Sequence, residues 1–242
     1  MADTEQVKLA AEAYLYGYPL VYDLKEVAEN VEGGGSLPLQ SPYNSFAYAR
    51  RLLGPETSFV SPNNDTLYVI GQCDLCQGPL VLHVPDTGDR YYVLQFVDAW
   101  TNNFAYVGHR ATGTRAGDFL LVPPGWGGST PEGHTVIRFP TTVASIVGRW
   151  SVSGDEDLPA VHALQDATTL TPVDRDAEAV GLAQPDPGVP DELMFLEKLR
   201  VWSQQLPPAE RDVPLQEGLA PLGTTQPGPS PYLALTEEQR SS

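Results

Sequence analysis

Ser61-Pro62-Asn63-Asn64-Asp65-Thr66-Leu67-Tyr68-Val69-Ile70-Gly71-Gln72-Cys73-Asp74-Leu75 is the stretch from which the rest of the chain can be read. Its first half gathers two amides, a carboxylate, hydroxyls and a phenol. Asn and Asp tolerate left-handed backbone and bond to their own main chain, so Asn63-Asn64-Asp65 predicts an Asx-type turn. The second half alternates. Leu67, Val69, Gly71, Cys73 and Leu75 fall on one face, and Tyr68, Ile70, Gln72 and Asp74 on the other. A period of two marks a half-buried strand. The polar turn therefore opens a sheet.

Further apolar runs follow at Leu80–Val84, Arg90–Trp100, Phe104–Arg110, Phe119–Val122, Thr135–Phe139 and Ala144–Val152. They are separated by Gly113, Pro123-Pro124-Gly125-Trp126-Gly127-Gly128 and Pro131-Glu132-Gly133. Pro85-Asp86-Thr87-Gly88, between two such runs, predicts a hairpin. Short strands at this spacing, with this much turn chemistry, predict a mainly β fold: a jelly-roll-like antiparallel β-sandwich with flanking N-terminal and C-terminal helices.

Before the sheet, Thr4 to about Asn30 reads as helix, with Val7, Ala11, Tyr14, Tyr18, Val21 and Leu24 on an apolar face. Pro19 cannot donate to the helical ladder and predicts a kink or two short helices. After the sheet come a short helix over Leu158–Leu164 and a Pro-rich strap over 170–190. A helix over 191–206 then follows, with Phe195, Leu199, Trp202 and Leu206 on one stripe and Pro207-Pro208 as its stop. The resulting organisation is a helical segment, 1–35, packed on a sandwich core, 36–155. A strap and C-terminal helix, 156–220, belong to the same domain, and 221–242 is a disordered tail or linker.

Composition narrows the function classes. The 242 residues carry 31 acidic and 14 basic side chains, a net charge of −17. Such a field repels phosphate backbones and anionic bilayers, so neither nucleic acid nor membrane is an expected partner. No basic-apolar leader and no apolar run of membrane-spanning length occurs, which predicts a cytoplasmic protein. Cys73-Asp74-Leu75-Cys76 lacks the helix start of a redox pair and the further ligands of a zinc knuckle, so both are read as buried free thiols. The histidines His83, His109, His134 and His162 show no metal-ligand spacing. Hydrolase-elbow, P-loop and dinucleotide motifs are missing from the sequence. No cofactor or metal is expected.

Polar chemistry concentrates in the opening stretch and in a second island, Asp98-Ala99-Trp100-Thr101-Asn102-Asn103. Asp98 shares a strand face with Leu94 and Phe96, so it predicts a buried carboxylate needing a partner, with Arg110 and Arg149 as candidates. One reading is a structural Asp–Arg pair pinning strands. Another brings both islands into one cleft. Asp65 and Asp98 would then be an acid–base pair or cation ligands beside Asn64 and Asn102, and Arg110 would clasp a carboxylate or phosphate.

Several strings in this order resemble the family of proteins of unknown function numbered DUF1254. They are Tyr16-Gly17-Tyr18-Pro19-Leu20, the Ser61–Tyr68 string, Arg90-Tyr91-Tyr92, Asp98–Phe104, Gly108-His109-Arg110-Ala111-Thr112-Gly113, Gly117–Leu121 and Gly148-Arg149. The resemblance spans roughly residues 8–220. It implies a jelly-roll-like sandwich forming the first half of a longer protein, with a β-rich DUF1214 domain following and subunits associating through their sandwiches. This sequence stops just past the first domain, which predicts a single domain lacking that partner. Tyr48 stands where the family pattern has a His, so no role resting on that His carries over.

The expected function is binding of a small polar ligand, a sugar or carboxylated metabolite. The site residues are Asn63, Asn64, Asp65, Tyr68, Asp98, Asn102, Asn103, Arg110 and Arg149. The alternatives are a structural or oligomerisation module and an enzyme using Asp65 or Asp98 as general acid or base. A homo-oligomer or a partner β-domain is the expected assembly.

Overall fold

The computed structural model describes residues 4–34, 39–55, 57 and 61–235. Helix α1 (Thr4–Glu32) leads into β1 (Phe46–Tyr48) and β2 (Thr66–Asp74). These are followed by β3 (Leu80–Val84), β4 (Tyr92–Asp98), β5 (Asn103–Gly108), β6 (Gly117–Val122), β7 (His134–Arg138) and β8 (Val143–Ser151). Helix α2 (Leu158–Ala167), β9 (Thr169–Pro172), α3 (Met194–Gln205) and α4 (Val213–Gly218) complete the described elements, with short 3-10 turns between them. No described helix is long and apolar enough to cross a membrane.

The strands form a five-stranded sheet in the order β1-β2-β8-β4-β5 and a four-stranded sheet in the order β7-β6-β3-β9. The fold is mainly β, with two sheets and several helices. Pairing is antiparallel except between β6 and β7, which run parallel. The Pro- and Gly-rich residues 123–133 carry the chain back to the start of β6 before β7 begins, so that pair departs from the antiparallel expectation. Pro85-Asp86-Thr87-Gly88 is another departure. It is a real turn, with the Gly88 amide donating to Asp86 Oδ1 at 2.9 Å. Yet β3 and β4 belong to different sheets, so it bridges layers rather than closing a hairpin. β9 overlaps the start of the stretch read as a strap.

Alternation in the strands is obeyed where it matters. Leu67, Val69 and Cys73 of β2, Leu94 and Phe96 of β4, and Ile146 and Trp150 of β8 share one core with Leu80, Leu82 and Val84 of β3 and Phe119 and Leu121 of β6. Each such side chain contributes about 1.5–3 kcal/mol when fully buried. Trp150 stacks on Tyr92, ring centroids 4.8 Å apart. Gly148 lies on the core face of the central strand, where an added Cβ would sit 2.6 Å from the Val93 carbonyl oxygen and 2.7 Å from Val69. That position can hold nothing larger.

Residue contacts divide the chain into two units: residues 26–181, and the chain up to Lys25 together with Leu182 onward. In the second unit, α1 continues through Pro19 without a break. Its buried face is Ala13, Gly17, Leu20 and Leu24, with Gly17 directly against Leu199. Tyr14 and Tyr18, expected on the apolar face, are instead 50% and 44% exposed; Tyr18 leans on Tyr14 at 5.5 Å and on Tyr22 at 5.4 Å, with Tyr14 also against Phe195. Gly17 explains the shift: only the face without a side chain lets α3 approach so closely.

Glu197 of α3, fully buried, accepts from Arg200 Nε (2.8 Å) and Nη2 (2.7 Å), from Ser230 Oγ (2.9 Å) and from the Asp186 amide (3.3 Å). Arg200 also donates to the Gln226 and Gly228 carbonyls. Residues 221–235 are therefore folded, correcting the expectation of a linker there. Tyr232 is buried and donates to Leu222 O at 2.9 Å. Prolines that discourage longer helices serve at the starts of the 3-10 turns Ala220–Leu222 and Pro231–Ala234. The remainder of the expected tail, 236–242, lies outside the described residues.

Candidate functional site

Register decides which polar residues meet. β2 and β4 are both antiparallel to β8, so they run the same way. The start of one and the end of the other must then lie at opposite ends of the sheet. Thr66 pairs with Ser151 and Asp98 with Ala144, seven residues apart along β8. At about 3.3 Å per residue the two polar islands are roughly 23 Å apart. This corrects the single cleft: Asp98, Asn102 and Asn103 do not join Asn63, Asn64, Asp65 and Tyr68.

The Asp98 end is closed. Asp98 is 4% exposed, and its carboxylate accepts from the Trp100 amide (2.9 Å), the Asn102 amide (2.9 Å) and Asn102 Nδ2 (3.2 Å to each oxygen). Thr101, at φ 65°, completes a tight β4–β5 connection, its amide donating to Asp98 O. The predicted Asp–Arg pair is replaced by bonds within Asp98's own turn. Both of its oxygens are engaged in shaping that turn. Asn103 Oδ1 accepts from Gln95 Nε2 at 2.7 Å.

A second carboxylate at that end, Asp74, went unassigned in the sequence. It is 3% exposed and accepts from the Cys76, Val180 and Gly181 amides at 2.8, 2.7 and 2.6 Å. Beside it, burial raises the Tyr43 phenol to about 12, and partial desolvation together with the Asp74 carboxylate raises the Cys76 thiol to about 11. Cys73 is buried and its thiol is pushed up further, whereas Cys76 is exposed, contrary to expectation. Neither thiol is poised as a nucleophile at neutral pH.

The other end is open. Asn63 Oδ1 accepts from the Asp65 amide (3.3 Å), the Thr66 amide (2.9 Å) and Thr66 Oγ1 (2.6 Å), the predicted Asx turn. The Asn63 amide donates to the Tyr68 hydroxyl at 3.1 Å, and Asn63 Nδ2 is buried without a partner among the described residues. Asn64 and Asp65 are exposed. Tyr68, Arg149, Val93 and Gly108 form one row across β2, β8, β4 and β5, and directly paired residues share a face.

Arg149 is exposed, its guanidinium 5.4 Å from the centre of the Tyr68 ring. Arg110, just past β5, lies 5.4 Å from the Tyr91 ring. Neither has a carboxylate within ion-pair distance among the described residues, whereas Arg50, Arg90 and Arg200 each have one. A recess of about 290 Å³ opens beside Arg110, lined by Tyr91, Tyr92, Val93, Tyr106, Gly108 and Ala111, and Val93 of its lining is the β4 partner of Arg149. Of the predicted residues, the structure thus gathers Asn63, Asn64, Asp65, Tyr68, Arg110 and Arg149 at one end. It adds Tyr91 and Tyr106, which sequence reasoning missed. Their period-two placement on the outward face of β4 and β5, beside two Arg-bearing positions, is the signal that points to them.

Other features offer less chemistry. A groove of about 870 Å³ in the second unit is walled mainly by Val7, Leu193, Leu196, Pro221, Leu222 and Pro231, and Tyr232 is the one titratable side chain lining it. Among the described residues, no three His, Cys, Asp or Glu side chains converge as a metal would require.

Residues 43–172 match the family described as "Protein of unknown function (DUF1254)". The chain belongs to the DUF1254 family. No curated protein matches it. Among solved structures, the VPA0106 protein from Vibrio parahaemolyticus superposes with a TM-score of 0.73 at 23% identity, covering 97% of this DUF1254 chain and 55% of that one. The chain thus spans about half the length of that protein, with which it shares a fold. A putative uncharacterized protein from Burkholderia cenocepacia gives a TM-score of 0.36 at 12% identity, over 76% of this chain and 46% of the other.

Proposed function

We propose that the protein binds a small carboxylated metabolite at the open end of the five-stranded sheet, between Tyr68–Arg149 and Tyr91–Arg110. The observation that carries this is the pair of guanidiniums, each over a tyrosine ring and without a carboxylate partner among the described residues, in a chain where acids outnumber bases 31 to 14. Arginine presents a planar fork that matches a carboxylate bidentately, and leaving two such forks unmatched points to an anion from outside. The recess lies at the lower limit of ligand-pocket volumes, which suits a small metabolite. The architecture we assign is jelly-roll-like, supported by the pairing of early strand β2 with late strand β8 and of β8 with β4. A cytoplasmic setting, keeping Cys73 and Cys76 reduced, completes the proposal.

Thermal melts against a panel of small carboxylates test it. A true ligand raises the melting temperature with concentration, by about 2.7 kcal/mol of stabilisation at a hundredfold excess over its Kd. Arg110→Gln removes that rise. A flat response across the panel sinks the reading.

A second reading, assembly through a sheet edge, is favoured by β5. It is an edge strand of six residues without Pro or charge, and most natural edges carry such protection. Sedimentation across a concentration series, with Tyr106→Lys as a blocking variant, separates the two: only an assembly module dissociates on that change.

A further inference from the structure

We infer that the ligand is a short straight-chain dicarboxylate, one carboxylate held by Arg110 and the other by Arg149; this rests on the carboxylate reading above. Every neighbour that the register gives Arg149 on its own face is uncharged. Tyr68 and Val93 lie directly opposite, Val147 and Ser151 two residues along the strand, and Thr66, Ile70 and Gln95 on the diagonals. No protein carboxylate among these competes for it.

Arg110 is held differently but as firmly. The Gly108 carbonyl accepts from the Ala111, Thr112 and Gly113 amides at 3.0, 2.8 and 3.1 Å, and the Gly108 amide donates to Thr112 Oγ1 at 3.0 Å. Gly108 itself has φ 155°, and an added Cβ would collide with the Tyr92 carbonyl. This knot fixes the backbone from which Arg110 projects, so its charge is positioned before any ligand arrives. β8 and β5 flank β4, two strand spacings or roughly 10 Å between the rows that carry the two arginines. Val93 and Tyr91 lie between them and offer an apolar floor for methylenes, with anionic groups needed only at the two ends. A monocarboxylate satisfies one guanidinium; a dicarboxylate satisfies both.

Calorimetry with succinate, glutarate and adipate, each beside its monomethyl ester, decides. In the unmodified protein at least one diacid should bind about tenfold or more tighter than its ester, the worth of one charge-assisted hydrogen-bonded contact. Arg149→Gln should erase that ratio while leaving the ester's affinity in place, and Arg110→Gln should weaken diacid and ester together. Equal binding of every diacid and its ester in the unmodified protein overturns the dicarboxylate inference and leaves the carboxylate site standing. So does a ratio that survives Arg149→Gln. Binding of neither kind of probe overturns both.

Discussion

The two ends of the five-stranded sheet handle charge in opposite ways. At one, Asp98 and Asp74 are buried and receive three hydrogen-bond donors each, all from main chain except the Asn102 amide group. At the other, Arg149 and Arg110 stand exposed over tyrosine rings without a carboxylate partner among the described residues. Charges of the first kind are committed to the fold, because removing either partner strands buried groups. Those of the second kind cost the fold little and remain available. A polar cluster in a sequence therefore says nothing about function until its donors and acceptors have been counted.

The largest expected effect is at the closed end. Asp74→Ala leaves the Cys76, Val180 and Gly181 amides without their acceptor, at a cost of about 3 kcal/mol. For a chain of this size that corresponds to a fall of about 6–12 °C in melting temperature. A melt shifted by less than a degree would mean that this end is not sealed by its carboxylates. Asp98→Ala should cost less, about 2 kcal/mol, since exposed Asn102 can turn to water; Asp98→Asn, which keeps one acceptor, should cost less again. Neither change should alter ligand affinity, as Asp98 and Asp74 lie level with Ala144 and Val143 of β8, roughly 17 and 20 Å from Arg149 by strand rise.

The misjudged position of Asp98 marks the limit of what the sequence could say. Alternation correctly put it on the core face with Leu94 and Phe96, and correctly gave nearly every strand. Alternation fixes the face of a strand, not the end at which a residue meets another strand. That requires strand order, and the order here depends on β8, about fifty residues further on, inserting between β2 and β4. The same limit explains the Pro85–Gly88 turn, legible as a turn but not as a crossing between sheets. Tyr14 and Tyr18 fail for another reason. Spacing defined a helical stripe, but Gly17 against Leu199 decides which stripe is buried. The Asx turn at Asn63, by contrast, is a local device and was read correctly from three residues.

Arg90 supplies a control within the open end. Asp157 receives both Arg90 Nη atoms at 2.6 Å and the Ser153 amide at 2.9 Å, and these bonds hold its carboxyl down to about 2. A carboxyl depressed in the folded state stabilises fully above the ordinary carboxylate range. That contribution is lost as pH falls from about 4 through about 2. Asp157→Asn should flatten this acid limb of an unfolding-versus-pH curve. An unchanged limb would mean that solvent already screens the pair, and the contrast between paired and unpaired arginines at this end would lose its basis.

The smallest expected effect is the most telling. Arg149→Gln and Arg110→Gln each keep a polar, though shorter, side chain near its tyrosine while removing the charge. Nothing acidic among the described residues is left unpaired by either change, so folding stability should move by no more than about 0.5 kcal/mol. The same substitutions should each lower dicarboxylate affinity about tenfold or more, because a charge-assisted bidentate contact is lost. Stability alone would mislead here, since an inert surface arginine and a binding arginine melt alike. The two are separated by salt: affinity at a site built on exposed guanidiniums falls as ionic strength rises, and a Gln variant has less of that slope to lose. If either Gln variant instead melts several degrees lower, its guanidinium braces the sheet through its tyrosine as the closed end is braced through its carboxylates. The two ends would then differ only in the sign of the charge.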